Sequence, residues 1–296
     1  MGRMPWFLSD SLPEYTASVG GLLSRRPAQH TILLGVIESL RAAGPARYGA
    51  IAPLFGWWQD PEGEASAAFL HTPPFQVALT SVPAAASAAL AQALHARRRT
   101  VSGVNADPAG AEAFAGAWHE LTGDTVELHM RSRLYELGGL RWPDPRPPGQ
   151  ARVAGPADRS LLIAWSEAFQ QEAQSGPEDL VAIVDDRLSY RGLTLWEDAG
   201  QPVSMAGLSR PAAGQVRVGP VYTPPGLRGK GYAGAVTCVV SQAARDAGVG
   251  HVLLFTDLAN PTSNALYQRL GYEPLEDRAI WSFHHSPAGD GAGQGG

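Results

Sequence analysis

Arg228-Gly229-Lys230-Gly231-Tyr232-Ala233 is a glycine-spaced loop between a β-type run and a helix-type run, and its reading decides the fold. Ahead of it, Val216-Arg217-Val218-Gly219-Pro220-Val221-Tyr222 is rich in β-branched residues, while Tyr232 to Ala247 behind it contains no proline and predicts a helix. The first amides of a helix lack intrahelical acceptors and carry partial positive charge, so glycines that let an anion approach them make a phosphate cradle. Lys230, the only lysine in the chain, adds positive charge beside it together with Arg228. Taken alone, the stretch also fits a tight strand-to-helix turn. It contains neither the Gly-Lys-Ser/Thr ending of an NTPase phosphate loop nor the glycine fingerprint of a nicotinamide-binding fold.

About thirty residues downstream stands Asn260-Pro261-Thr262-Ser263-Asn264-Ala265-Leu266-Tyr267-Gln268-Arg269-Leu270-Gly271-Tyr272. Asn260 reads as an N-cap with Pro261 at the first helical position, where a missing N–H costs nothing. Gly271 reads as a left-handed stop, which places Tyr267 on the last turn. Before this helix, His251-Val252-Leu253-Leu254-Phe255-Thr256 has the unbroken apolar character of a buried strand.

Together these residues resemble the GCN5-related N-acetyltransferase (GNAT) family. Its first motif, Gln/Arg-x-x-Gly-x-Gly/Ala, is matched by Arg228, Gly231 and Ala233; its second, an asparagine-led helix ending in Tyr-x-x-x-Gly-Phe/Tyr, by Asn260, Tyr267, Gly271 and Tyr272. The match covers about residues 150 to 285. The resemblance implies that Arg228, Gly229, Lys230, Gly231, Tyr232 and Ala233 bind the pyrophosphate of acetyl-CoA as cosubstrate, with Asn260 nearby. It implies that Val221, Tyr222 and Thr223 pair with the pantetheine arm, and that Tyr267 protonates the departing thiolate. A phenol suits that task because it holds its proton at neutral pH yet can hydrogen-bond sulfur. The family marks no single general base. Glu167 and Glu172, on a helix expected from about Asp158 to Gln174, are candidates beside the plainer reading of solvated carboxylates.

The implied activity is acetyl transfer to a primary amine, small or peptide-borne, by direct attack in a ternary complex. A non-catalytic acyl-CoA-binding or regulatory module is the alternative. The sequence leaves the acceptor, and the choice between monomer and homodimer, open. A net charge of −5 argues against a nucleic-acid partner. With no run of eighteen apolar residues and no signal-peptide pattern, a soluble, cytoplasmic protein without a membrane partner is expected. The single cysteine, Cys238, excludes an internal disulfide and reads as a buried structural thiol; no metal site is expected.

At 296 residues the chain exceeds one such domain. Trp142-Pro143-Asp144-Pro145-Arg146-Pro147-Pro148-Gly149 reads as a proline-rich linker over 142–150. It separates a first domain, 1–141, from a catalytic domain, 151–285, followed by a Gly/Ala-rich tail, 286–296, expected to be disordered. The first half predicts helices at Leu12–Leu23 and Thr31–Ala43, then strands at Ala50–Trp58, Ala65–His71 and Phe75–Ser81. A helix from Pro83 to Arg97, a strand at Thr100–Val104, a helix from Pro108 to Leu121 and a strand at Thr125–Leu137 follow.

That order repeats in the second half. Aligning Asp107-Pro108 with Asn260-Pro261 puts Phe114 at the Tyr267 position, and Ser81 to Leu90, in place of the glycine loop, holds no glycine and no cation. The expected fold is therefore α/β, two acyl-CoA N-acyltransferase-like (GNAT) units, each a twisted mixed sheet flanked by helices. The first is degenerate, leaving one cofactor per chain. A gap is expected between the strand ending at Tyr222 and the one beginning at His251. Trp57, Trp58 and Phe75 read as core aromatics, with a wall of the acceptor site as the alternative.

Overall fold

The computed structural model describes residues 6–173 and 179–285; Gln174 and the tail 286–296 lie outside the described residues. From the N-terminus run β1 (Trp6–Ser9), α1 (Leu12–Arg25), α2 (Thr31–Ala43), β2 (Leu54–Gln59), β3 (Ala65–His71), β4 (Val77–Leu79), α3 (Ala84–Ala96), β5 (Gly103–Ala106), α4 (Pro108–Thr122) and β6 (Thr125–Leu137). Then come β7 (Gln150–Val153), α5 (Arg159–Ala173), α6 (Leu180–Ser189), β8 (Leu193–Asp198), β9 (Gln201–Leu208), β10 (Gln215–Tyr222), α7 (Tyr232–Asp246), β11 (His251–Asp257), α8 (Pro261–Arg269) and β12 (Tyr272–His284). Each series reads strand, two helices, three strands, helix, strand, helix, strand. The repeated order expected from the sequence is present.

Two compact units result. The first holds Met1–Leu22, Pro45–Arg131 and Arg278–Gly296; the second holds Leu23–Gly44 and Ser132–Asp277. Boundaries fall inside α1, β6 and β12, and after α2. Residues 142–149, expected as a linker, lie within the second unit.

In the first unit β1, β2, β3, β4 and β5 are neighbours in that order. All pair antiparallel except β4 with β5, which is parallel at Val77↔Val104 and Ala78↔Asn105. The far side of β5 is covered by the C-terminal part of β12, Ala279↔Ala106 to Ser282↔Gly103. The second unit repeats the pattern with β7, β8, β9, β10 and β11, whose single parallel pair is β10 with β11. There the C-terminal part of β6 covers β11, from Leu253↔Glu136 to Asp257↔Ser132. The strand beside β5 thus comes from the end of the sequence, and the strand beside β11 from its middle.

Local chemistry accounts for the helix limits. Asp107 accepts from the Gly110 amide at 3.1 Å to start α4, and Gly123, at φ 75°, ends it. In α3 the alanines allow close packing, with Ala86, Leu90, Ala91 and Leu94 buried and Ser87 Oγ donating to the Gly110 carbonyl of α4 at 2.6 Å. Strand β2 starts at Leu54 rather than the expected Ala50, because Pro53 has no N–H to give to a ladder. The first unit's core gathers Phe69, Leu79, Leu90, Val104, Phe114 and Trp118 with Phe283. The second unit's main core gathers Tyr135, Val216, Val236, Cys238, Leu254 and Tyr272. Cys238 is fully buried, and burial pushes its thiol up to about 11, as a structural thiol should behave.

Trp57 is buried and stacks on Phe7 at 5.8 Å, while half-buried Trp58 meets Trp6 edge-on at 5.6 Å and half-buried Phe75 meets Tyr48 edge-on at 5.6 Å. Among the described residues no helix is long and apolar enough to cross a membrane.

Gly271 joins α8 to β12 at φ 94°, and a Cβ there would stand 1.8 Å from the Gly139 carbonyl oxygen. Only glycine satisfies both the left-handed backbone and the close approach. Gly271→Ala is expected to lower stability by more than the roughly 1–3 kcal/mol of backbone strain alone. Chemical denaturation should show a lower midpoint with an unchanged slope.

Candidate functional site

The site is built where β10 and β11 part. Their pairing covers Gln215–Arg217 against His251–Leu253. Beyond it β10 keeps company with β9, through a register shift between Val218 and Val221 that contains Gly219-Pro220. Such a bulge bends its strand and re-aims the residues that follow. On the far side of the shift Val221 pairs with Ala206 and Tyr222 with Met205, and the backbone edge of Val221–Thr223 faces a cavity of about 680 Å³. The gap expected from the sequence is present.

Beyond β10 the chain crosses the cavity wall as residues 223–231 and enters α7. Gly231 is the residue before the helix, at φ 85° in the left-handed region, with no side chain capping the first turn. The amides that open α7 are therefore offered to the cavity, as is the glycine-spaced backbone from Gly229. Pro147, from the proline-rich stretch, sits behind Gly231. That stretch is anchored by Trp196 Nε1 donating to the Pro148 carbonyl at 2.8 Å and by Arg146 stacked over Trp142 at 4.3 Å.

The opposite wall is α8. Asn260 accepts from the Ser263 amide at 3.0 Å, with Pro261 at the first helical position. Asn264 fixes the helix against β11 and β6: its amide donates to the Asp257 and Asn260 carbonyls at 2.8 and 2.7 Å, and its oxygen accepts from Tyr135 Oη at 2.9 Å. Tyr267 then faces the cavity, with its ring edge-on to Tyr272 at 6.0 Å. Burial pushes the Tyr267 phenol up to about 12, so it carries its proton throughout the neutral range.

Val221, Tyr222, Thr223, Arg228, Gly229, Lys230, Gly231, Tyr232, Ala233, Asn260 and Tyr267 all line this one cavity. They do not all face it in the same way. Tyr232 contributes backbone, since its side chain is buried and its hydroxyl donates to Asp198 Oδ2 at 2.5 Å. Arg228 departs from the sequence reading. Its Nε donates to the Thr223 carbonyl at 2.8 Å, its Nη2 to both oxygens of Glu172 at 2.7 and 2.6 Å, and the guanidinium lies 5.8 Å from the Tyr222 ring centre. The charge expected beside the cradle is turned toward α5 and matched by a carboxylate. Exposed Lys230 is left as the cation of the loop.

Of the two carboxylates on α5, Glu172 lines the cavity and Glu167 does not. Phe169, Leu227, Leu266, Thr262, Ser263 and Arg269 also line it and were not singled out in the sequence. Leu266, three residues after Ser263 on the Asn260 helix and next to Tyr267, could have been placed from helix periodicity; Phe169 could not, because only tertiary packing brings α5 here. The carbonyls of Tyr222 and Thr223 are already engaged, by Ser204 Oγ at 3.0 Å and by Arg228. Among the described residues no group of His, Cys, Asp and Glu has the makings of a metal site.

The residue types fit an elongated anionic ligand better than a metal ion: uncapped amides and Lys230 at one end, a strand edge along the middle, and a protonated phenol at the other wall. Residues 159–272 match the acetyltransferase (GNAT) family model. No curated protein matches in sequence. Among solved structures, a Drosophila protein superposes with a TM-score of 0.65 at 11% identity, covering 95% of this chain and 99% of that one. A GCN5-related N-acetyltransferase from Sphaerobacter thermophilus gives 0.59 at 16%, covering 95% and 96%. A GNAT-family acetyltransferase from Colwellia psychrerythraea gives 0.56 at 12%, covering 95% and 99%. At these identities the likeness is one of fold, and it runs over both units.

Because its ionised form is disfavoured by burial, Tyr267 contributes stability that is present below its ordinary value of about 10 and is lost as pH rises through about 12. Alkaline titration followed by phenolate absorbance should assign the loss of one high-pH ionisation to Tyr267→Phe. The same substitution should lessen the fall in stability between pH 10 and 12.

Proposed function

We propose that this protein, whose residues 159–272 match the acetyltransferase (GNAT) family model, transfers the acetyl group of acetyl-CoA to a primary amine by direct attack in a ternary complex, using the cavity between β10, α7 and α8. The observation that carries the reading is the convergence, on one cavity, of an uncapped helix N-terminus, the end of a strand and a protonated tyrosine. The family generally uses acetyl-CoA and acts on amine acceptors. Acetyl-CoA, when bound, supplies the activated thioester.

The amides opening α7, with Gly229 and Gly231 leaving room at the backbone, hold the diphosphate, and Lys230 adds a positive charge. The end of β10 is held rigid before any ligand arrives, because Ser204 and Arg228 occupy the Tyr222 and Thr223 carbonyls. Its remaining backbone groups receive the pantetheine arm along Val221–Thr223. Tyr267 keeps its proton on Oη and delivers it to the thiolate as the C–S bond breaks, the role of a general acid, while the nitrogen that has formed the new C–N bond gives its proton to solvent water, from which the phenol is reprotonated. Glu172, bound through both oxygens to Arg228, holds that side chain over the strand end and does not serve as the base. In this reading the second half of the sequence, 151–285, carries the chemistry.

Tyr267→Phe keeps the ring and removes the proton. It is expected to lower kcat by about 10²-fold while leaving KM for acetyl-CoA nearly unchanged, as thiol release across a panel of amines would report. Lys230→Glu places a negative charge beside the cradle and should weaken acetyl-CoA binding about tenfold or more by calorimetry, an effect of about 1.4 kcal/mol. Full turnover by Tyr267→Phe removes the tyrosine from the acid role. Tight binding with no turnover on any amine would mark the protein as a non-catalytic acyl-CoA-binding module, and no binding would overturn the reading.

A further inference from the structure

In the first unit the place that corresponds to this cavity is filled by the protein itself. Strands β4 and β5 pair in parallel at Val77↔Val104 and Ala78↔Asn105, and β4 ends one residue later, at Leu79. At these strand ends Arg278 of β12 enters. Its Nη2 donates to the Leu79 carbonyl at 2.9 Å and to the Asn105 carbonyl at 2.8 Å, and its Nε donates to Asn105 Oδ1 at 2.7 Å. Arg278 is 3% exposed, so the guanidinium is a buried bridge between the two strand ends. A charge at that depth is tolerated only with its donors engaged.

Everything around this bridge differs from the second unit in the same sense. Only residues 80–83 join β4 to α3, against residues 223–231 between β10 and α7. The start of α3 is pressed inward, with the Ala86 carbonyl accepting from Trp6 Nε1 at 2.8 Å. Phe114, on the helix corresponding to α8, is fully buried and stacks on Trp118 and Phe283 at 6.2 and 6.1 Å.

We propose that the Arg278 side chain is the built-in occupant of the space at the ends of β4 and β5, taking in the first unit the place that a ligand takes in the second, so that the chain holds one cofactor and its first unit contains a slot shaped for a guanidinium group. The count of one cofactor rests on the function proposed above; the slot does not. Shortening the side chain exposes the slot to a small-molecule replacement. Arg278→Ala removes the equivalent of ethylguanidinium, whose planar fork can reach both carbonyls and Asn105 Oδ1, whereas ethylammonium is a point donor on a stem of the same kind.

The experiment is thermal unfolding of the full chain. Arg278→Ala should lower the midpoint by on the order of 10 °C, and millimolar ethylguanidinium should restore about 2–4 °C of it. Ethylammonium should restore none, and native protein should not respond to either. Equal rescue by the two cations, or equal stabilisation of native protein, overturns the slot. Should Arg278→Ala fail to fold, Arg278→Lys keeps the charge without the fork and should still melt several degrees below native; an unchanged midpoint overturns the slot. Separately, calorimetry of native protein should give one acetyl-CoA per chain, and two per chain would overturn the closure. Absence of all acetyl-CoA binding would sink the proposed function and the cofactor count while leaving the guanidinium result standing.

Discussion

Two parallel strands that part company turn their backbone donors and acceptors toward an empty gap, and a buried gap of that kind is costly unless something fills it. In the first unit β4 and β5 stay paired to within one residue of the end of β4, whereas in the second β10 and β11 part after three residues. The first is closed by an arginine whose guanidinium bridges the two strand ends. The second opens on a cavity lined by the uncapped start of α7 and by Tyr267. The two units differ in what stands at the ends of these strands.

Holding the second gap open takes rigid walls on every side. The register shift in β10 precedes Val221–Thr223, and the Ser204 and Arg228 bonds hold that strand end. Asn260 and Asn264 lock α8 so that Tyr267 is presented from a firmly seated helix. The proline-rich stretch supports Gly231 from behind. The Arg228–Glu172 ion pair joins α5 to the loop. Both partners are nearly half exposed, so its value is in placement more than in stability.

Features encoded in short windows are legible in the amino-acid sequence. The N-caps at Asp107 and Asn260 and the left-handed glycine at Gly271 depend on neighbours a few residues apart, and each is found as expected; Gly123, which ends α4 in the same way, is equally local. The direction of Arg228 is not legible, because its partner, Glu172, is 56 residues away. Nor is the fact that β12 lies beside β5 while β6 lies beside β11, since the period-two pattern of a strand shows which face is buried but not which strand will be its neighbour. Arg278 carries no mark in the sequence at all; an arginine in a C-terminal strand reads as a surface residue until its partners are known.

The sequence alone, then, determined the repeated α/β order, the helix starts and stops, and the glycine-spaced donors at α7, because local backbone preferences and short-range hydrogen bonds encode these directly. The tertiary structure decided how Arg228 is engaged, which carboxylate of α5 lines the cavity, which strand lies beside β5 and which beside β11, and what bridges the ends of β4 and β5. Those outcomes depend on which distant polar groups must satisfy one another once water is excluded, and no local window of sequence contains both members of such a pair.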